Sequence, residues 1–294
     1  MTTRRRSDVS MAAFSTYRVG GTVTSLTVCG SEQELLDTMK DLGARSSSVL
    51  VVGNGSNLLV ADGTVDVDVI HLGGDFTEST WRDDGDVVVA ACGAGADLPV
   101  LARRLVADGV RGFEWAVGVP GTIGGAVAMN AGGHGSDMAA AVVSVRLFRD
   151  GAIIELAAAE LAFGYRHSAI RAGDVVLSAT LHLTRGDEAE GREMLSEIVR
   201  WRRAHQPGGA NAGSVFRNPP NDSAGRLLEA VGMKGVTHGG AEVSSKHANF
   251  IIAGEGARAA DVLALMREGR RRVEQEFGIT LVAETRLVGC EEQL

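Results

Sequence analysis

The chain has 294 residues, 45% of them hydrophobic and 22% charged, and a net charge of −8 at pH 7. That length supports two or three small domains with real cores, and the acidic balance argues against a general nucleic-acid binder. An anionic ligand must then meet local basic residues rather than a basic surface. Cys29, Cys92 and Cys290 are scattered, with no metal-ligand spacing and no disulfide framework, so no metal site is expected. Arg4, Arg5 and Arg6 are not followed by an apolar run, so no secretory signal is expected. No apolar stretch approaches the roughly 18 residues of a membrane span. The expectation is a soluble cytoplasmic protein with no membrane association and no obligate protein partner.

In chain order, Ser31 and Glu34 form a capping box. It starts a helix with Leu35, Leu36, Met39 and Leu42 on one face, ending at Gly43. Residues 49–52 read as a buried strand that runs into a Gly/Ser/Asn turn. Residues 65–70 alternate as a half-exposed strand, and 86–91 form another. Asp97 caps a helix that carries Pro99 in its first turn and ends at Gly109. Residues 142–148 and 152–156 flank Asp150 and Gly151, a strong hairpin signal. Residues 175–183 form a long alternating strand. The character changes near 185–188, and a boundary is expected near 187. A helix over 193–205 presents Met194, Leu195, Ile198 and Trp201. The last third holds an amphipathic helix whose apolar face is Val262, Leu265, Met266, Val273 and Phe277, closed by Gly278. Arg267 and Arg270 to Arg272 lie on its other side, which reads as a solvated face. A final strand over 280–288 contains Glu284. The fold class is α+β.

Five segments carry chemistry. The first spans 118–132 and includes Gly118, Gly121, Gly124, Gly125 and Gly132. Glycines let backbone approach a ligand closely, and unpaired N–H groups there cradle phosphates. The spacing is wrong for a Gly-x-Gly-x-x-Gly dinucleotide fingerprint, and an ordinary glycine-rich turn is the alternative. The turn Gly53, Asn54, Gly55, Ser56 and Asn57 is a second phosphate-type loop, and neither carries a Walker lysine. Next comes Arg166, between Tyr165 and His167, placed to hold a carboxylate bidentately or simply to lie over Tyr165. His167 has no nucleophile beside it in sequence and reads as structural. Ser214 follows Gly213 and precedes Val215 and Phe216, which suits either a hydroxyl in a partly dry site or a turn serine. It is not a Gly-x-Ser-x-Gly elbow. Last is Glu284, a carboxylate in an apolar strand. If buried, it has a raised pKa and donates a proton or hydrogen bond; if not, alternation pairs it with Arg286.

Together, in this order, these segments resemble the UDP-N-acetylenolpyruvoylglucosamine reductase (UDP-N-acetylmuramate dehydrogenase) family of bacterial cell-wall synthesis. The resemblance runs from Ser15, Thr16, Tyr17, Arg18, Val19, Gly20 and Gly21 to Gly289 and includes residues 213–219 and 247–250. It implies a two-lobed FAD-binding domain of the vanillyl-alcohol oxidase (PCMH) type over 15–187, with lobes of about 15–73 and 74–187. An α+β substrate-binding domain over 188–294 would follow, its last strand packing back near the flavin. FAD would be held non-covalently by Gly53, Asn54, Gly55, Ser56, Asn57, Val119, Pro120, Gly121, Thr122, Gly124, Gly125 and Ala126, with NADPH as hydride donor. Arg166, Ser214 and Glu284 would be catalytic. Arg166, Ser214, Asn218, His247 and Arg286 would contact the UDP-sugar, with Gln206 less firmly placed. Asn54, Arg217 and Ala253 depart from the family's usual glycine, lysine and asparagine, and 208–211 lacks the usual proline. No long insertion follows Tyr165, so the chain looks like the shorter class without the tyrosine-bearing loop. Two other readings stay open: a related FAD-dependent oxidase of another alcohol or sugar, and a non-catalytic flavin- or UDP-sugar-binding module.

Overall fold

The computed structural model describes residues 4–45, 48–290, 292 and 294. The chain divides into two compact units. The first holds the residues up to Arg6, Ser25–Gly53 and Val67–Arg202; the second holds Ser7–Thr24, Asn54–Asp66 and Arg203 onward. Both mix helix and strand, as the α+β expectation has it. The expected contiguous boundary near 187 differs from this division. Leu58–Val60 pairs in parallel with the last strand, Arg286–Val288, and so stays with the C-terminal residues. At the other side, α4 (Glu188–His205) buries Leu195 and Ile198 in the first unit's core.

The first unit is built on an antiparallel sheet in the order Ala152–Ala157, Val142–Arg149, Val175–Arg185, Val87–Gly93, Ser79–Asp84. The hairpin forms as expected: Arg149 pairs with Ala152 around Asp150 (φ 51°) and Gly151 (φ 86°). Positive φ at both loop residues matches the right-handed strand twist. Helix α1 (Glu32–Gly43) is capped by Ser31 Oγ, which accepts from the Glu34 N–H at 3.3 Å. The Glu34 carboxylate reaches back one residue further than a strict capping box and takes the N–H of Gly30 at 2.7 Å. Helix α2 (Leu98–Ala107) is capped by Asp97, and its buried Leu98, Leu101 and Leu105 face the unit's core. Helix α3 (Ile123–Met129) lies against the long Val175–Arg185 strand. On α4 the expected apolar face is only half right. Leu195 and Ile198 are buried, whereas Met194 and Trp201 are exposed, because the buried stripe runs through Gly191, Leu195 and Ile198 and those two side chains fall to one side of it.

The second unit packs α5 (Ala224–Ala230) and α6 (Ala259–Phe277) with a small antiparallel sheet of Thr237–His238, Ala241–Val243 and Ile251–Ala253. Val262, Leu265, Met266 and Val273 are buried as expected, but Phe277 sits at the helix end and is exposed beneath the Arg226 guanidinium. The Arg271 and Arg272 side chains pair with Glu268 on the same helix, consistent with a solvated face. The start of α6 is capped from a distant part of the chain: Asp62 accepts the N–H groups of Ala259 and Ala260 at 3.1 and 2.9 Å. The expected strand over 280–288 is regular only at Arg286–Val288. Upstream it pairs with a different partner, through a Phe216–Ala283 bridge. Capping groups of this kind are worth about 1–2 kcal/mol. Asp62→Ala should therefore lower unfolding stability by about that amount, read as a shift in the urea midpoint at constant m-value.

Candidate functional site

In the first unit the two glycine-rich segments meet. A Cβ on Gly53 would stand 2.4 Å from Thr122 Oγ1, so only glycine lets the 53 turn close onto the start of α3. Gly124 donates its N–H to the Ala94 carbonyl at 2.8 Å, and a Cβ there would stand 3.0 Å from Ala94 Cβ. Val119, Pro120 and Gly121 form the tight turn before it, with the Gly121 N–H on the Val119 carbonyl at 2.8 Å. Gly125 is the opposite case. It is exposed in the first turn of α3, and within 4 Å of its missing Cβ stands only Thr122 Oγ1, at 3.7 Å. A ligand can therefore come down onto the backbone at Gly125, while Gly53, Thr122, Gly124 and the buried Ala126 hold the loop in shape. Arg202 lies at the rim, its Cδ 2.9 Å from where a Gly118 Cβ would be, and burial pushes its guanidinium pKa down. Beside it a cavity of about 650 Å³ is lined by Trp115, His134, Ser136, Met194, Ile198 and Trp201. His134 and Trp201 meet edge to face, and burial, then Arg202, lower the His134 pKa.

Arg166 belongs to the same unit. Gly164 and His167 exchange both backbone hydrogen bonds, at 3.0 and 3.1 Å, leaving Tyr165 and Arg166 as a two-residue loop. Arg166 has φ 54°. That left-handed conformation normally calls for glycine and costs an arginine roughly 1–2 kcal/mol. Strain of this kind persists only where surrounding structure holds it. Here Asn130 Nδ2 donates to the Gly164 carbonyl at 3.0 Å, and Ser168 Oγ to the Ala128 carbonyl at 2.9 Å. The Arg166 turn is thus tied to the end of α3. Its guanidinium lies 5.4 Å from the centre of the Tyr165 ring.

The second unit brings Ser214 and Glu284 onto neighbouring strands of backbone. Arg217 N–H donates to the Val282 carbonyl at 2.9 Å, and the Val215 carbonyl accepts from Glu284 N–H at 2.9 Å and from Thr285 N–H at 3.4 Å. Two residues facing one is the arrangement of a β-bulge, and after it the chain changes partner: Arg286 N–H donates to the Asn57 carbonyl at 3.0 Å. The uninterrupted alternation that would put Glu284 and Arg286 on one face therefore does not extend across 284–286. Thr285 is buried, Glu284 half-buried and Arg286 exposed. Asn54, Gly55, Ser56 and Asn57 belong to this unit, whereas Gly53 belongs to the first. The Asn57 side chain donates to the Glu284 carbonyl at 3.0 Å, so one amide N–H expected for phosphate is committed to holding Glu284. Gly55 (φ 59°) packs against the Phe14 backbone, and its carbonyl accepts from Thr16 N–H at 3.2 Å.

Asn218 Oδ1 accepts the N–H of Ala224 at the start of α5, at 3.1 Å. His247 packs on α5 where a Cβ on Gly225 would stand 2.8 Å from its Cε1. Its Nδ1 accepts from Asn249 N–H at 3.2 Å, so the neutral ring carries its proton on Nε2. Burial, then Lys234, lowers its pKa. Gln206 Oε1, Arg217 Nε and Thr285 Oγ1 are buried without a partner among the described residues. Arg217 lies close to Ser214 in sequence and Thr285 next to Glu284, and buried polar atoms of this kind ordinarily have partners. Among the described residues no group of His, Cys, Asp and Glu could hold a metal ion, and no helix is long and apolar enough to cross a membrane.

Residues 205–288 match the family model for the UDP-N-acetylenolpyruvoylglucosamine reductase C-terminal domain, and residues 24–157 match that for an FAD binding domain. The UDP-N-acetylenolpyruvoylglucosamine reductase of Heliobacterium modesticaldum is 41% identical over 95% of this chain and 89% of its own length. That of Paramagnetospirillum magneticum is 42% identical over 96% and 91%. This chain belongs to the UDP-N-acetylenolpyruvoylglucosamine reductase family. The crystal structure of the Thermus caldophilus reductase superposes with a TM-score of 0.83 at 37% identity, covering 98% of this chain and 99% of that one. The expected reductase resemblance and flavin-domain fold are thereby established. The glycine cradle fits an FAD, because it combines a rigid turn with the open backbone approach at Gly125 that a diphosphate needs. Sequence reasoning gave no role to Arg202, Asn130 or Asn249. Asn130 lies inside the glycine-rich run and Asn249 inside the 247–250 segment, whereas nothing in the sequence marks Arg202.

Two predictions follow from this geometry. Gly53→Ala forces the turn off Thr122 and should weaken FAD retention at least ~10-fold, about 1.4 kcal/mol, measured by flavin fluorescence on dilution. The His247 ring should titrate below the ordinary histidine value when followed by NMR. The unfolded chain then binds the proton first, so this group costs stability as pH falls from 6.5 toward its folded pKa and contributes nothing above that range.

Proposed function

We propose that this chain is an NADPH-dependent flavoenzyme that reduces the enolpyruvyl group of UDP-N-acetylglucosamine enolpyruvate to the lactyl ether of UDP-N-acetylmuramate, in the cytoplasm. The observation that carries this reading, given the family, is the backbone pairing that sets Ser214 next to Glu284 through Val215 in the second unit. The substrate is a small UDP-sugar, and no protein partner, nucleic acid or membrane is needed. FAD would be held at Gly53, Asn54, Gly55, Ser56, Asn57 and over 119–126. When bound it supplies the hydride, taken from NADPH, that adds to the terminal carbon of the enolpyruvyl double bond.

The chain's own residues do the rest. As hydride arrives, negative charge builds on the substrate carboxylate. Arg166 is a delocalised, permanently charged fork carried on a strained backbone turn, and it stabilises that charge as an oxyanion hole does. Glu284 assists in its protonated form or through a water. Ser214 gives its hydroxyl proton to the carbon bearing the ether oxygen, which completes the lactyl group. Asn218, His247 and Arg286 contact the sugar nucleotide, His247 through its Nε2–H. The buried, unpartnered atoms of Gln206, Arg217 and Thr285 support a polar ligand in this unit.

The test is anaerobic NADPH oxidation by the yellow protein with and without the enolpyruvyl sugar. Turnover that requires the sugar and yields UDP-N-acetylmuramate is expected. Rapid reoxidation by oxygen without the sugar would instead support a flavin oxidase. Ser214→Ala should lower turnover about 10²–10⁴-fold, the usual range for a general acid, with FAD content intact. Turnover unchanged by Ser214→Ala would remove the serine from the proton-donor role.

A further inference from the structure

The segment that carries Ser214 is gripped by a side chain rather than by a second strand. The Asn249 amide is 2% exposed and spans both backbone groups of one residue. Its Oδ1 accepts from Phe216 N–H at 3.0 Å, and its Nδ2 donates to the Phe216 carbonyl at 2.8 Å. The Asn249 carbonyl takes the N–H of Val215 at 2.9 Å. On the other side, the Val215 carbonyl holds Glu284. Val215 and Phe216 therefore lie between Asn249 and the 282–285 segment, and the conformation of Ser214 is fixed by its two following neighbours. A carboxamide reproduces the donor–acceptor pair that a neighbouring peptide group would offer, and it does so at every pH, whereas a carboxyl of the same size does so only when protonated.

Asn249 is itself held. Its N–H donates to His247 Nδ1 at 3.2 Å, and the turn before it closes on Ser244, whose Oγ accepts from the Lys246 and His247 N–H groups at 3.1 and 3.4 Å. Phe250 N–H returns to the His247 carbonyl at 3.0 Å. The clamp is therefore rigid from its own side, as a group that orients others must be.

We infer that Asn249 is a positioning residue for proton delivery: its amide sets Ser214 and, through Val215, Glu284, while touching no reacting atom itself. The inference rests on the proposed roles of Ser214 and Glu284. A displacement of about 1 Å at such groups lowers rates by about 10². It leaves hydride transfer from NADPH untouched, because that step uses neither residue.

The test separates the two half-reactions in stopped flow on the FAD-loaded protein. Asn249→Asp is isosteric. It keeps the acceptor for Phe216 N–H and, when ionised, loses the donor to the Phe216 carbonyl. At pH values high enough to ionise the introduced carboxyl, whose pKa burial raises, reoxidation of the reduced flavin by the enolpyruvyl sugar should slow by about 10–100-fold, with flavin reduction by NADPH within about two-fold of wild type at the same pH. As pH falls, the introduced carboxyl takes up a proton and can again both donate and accept. The ratio of variant to wild-type reoxidation rate should therefore recover with one protonation. His247, Lys246, Lys234, Arg217, Glu284 and Arg286 are the ionisable groups on the surrounding segments; the wild-type profile reports their titration, and the double variant Asn249→Asp, His247→Gln separates the new carboxyl from the ring it adjoins.

Reoxidation unchanged in Asn249→Asp while Ser214→Ala abolishes it would overturn the inference and leave the proposed function standing. Reoxidation unchanged in both would sink the serine's role and the inference with it. Equal slowing of both half-reactions, with no recovery at low pH, would mark Asn249 as merely structural and overturn the inference. Where the carboxylate variant does not fold, Asn249→Ser shortens the side chain by one bond and removes both contacts to Phe216, and the same selective loss of reoxidation is expected.

Discussion

The parallel pairing of Leu58–Val60 with Arg286–Val288 is the constraint on which the second unit depends. It joins residues more than 200 positions apart in sequence and fixes both what precedes the first strand and what precedes the last. Before Leu58 lies the Asn54 to Asn57 turn. Before Arg286 lies Glu284. Because both approaches end at the same short ladder, Asn57 can donate to the Glu284 carbonyl and accept from Arg286. Closing so long a loop is entropically costly, but the cost grows only slowly with length, and a buried Leu59 and Val60 help to offset it.

The change of partner at 284–285 follows from that ladder. The chain leaves the Val215–Arg217 segment and joins Leu58 within two residues, and the Val215 carbonyl accepts from both Glu284 and Thr285 at the crossing. A regular strand would place its side chains alternately on two faces. A bulge re-aims them, and bulges recur beside active sites for that reason. Thr285 turns inward and Glu284 is left half-buried.

Much of the architecture was legible because it is local. The Ser31 and Asp97 caps, the Asp150–Gly151 hairpin and the Gly278 stop each rest on a few adjacent residues whose chemistry admits few conformations. The order of the glycine-rich, arginine, serine and glutamate segments was likewise readable as a family pattern. What sequence did not reveal is non-local. Leu58–Val60 is three apolar residues after a turn, too short to read as a strand without its distant partner. Asn249 looks like any loop asparagine until Phe216 is placed against it. The positive φ of Arg166 contradicts the residue's own preference, and only the tether from Asn130 makes it tenable. Met194, Trp201 and Phe277 were read as core because they are apolar and periodic, but each lies where its helix turns its edge to solvent.

Electrostatics separates structural arginines from those suited to a ligand. Arg111, Arg149 and Arg185 have their pKa values raised by the carboxylates of Glu114, Asp174 and Asp83. Their charge is already answered within the fold. Arg202 shows the reverse: its pKa is lowered, with desolvation as the cause, and it lies against Gly118 at the edge of the glycine cradle. Removing a guanidinium from water costs stability, and an anion bound beside it would offset part of that cost. An acidic chain can serve anionic ligands in this way. Acidic residues outnumber Lys and Arg by 37 to 29, yet the potential that a diphosphate or carboxylate meets is set by the cations nearest to it.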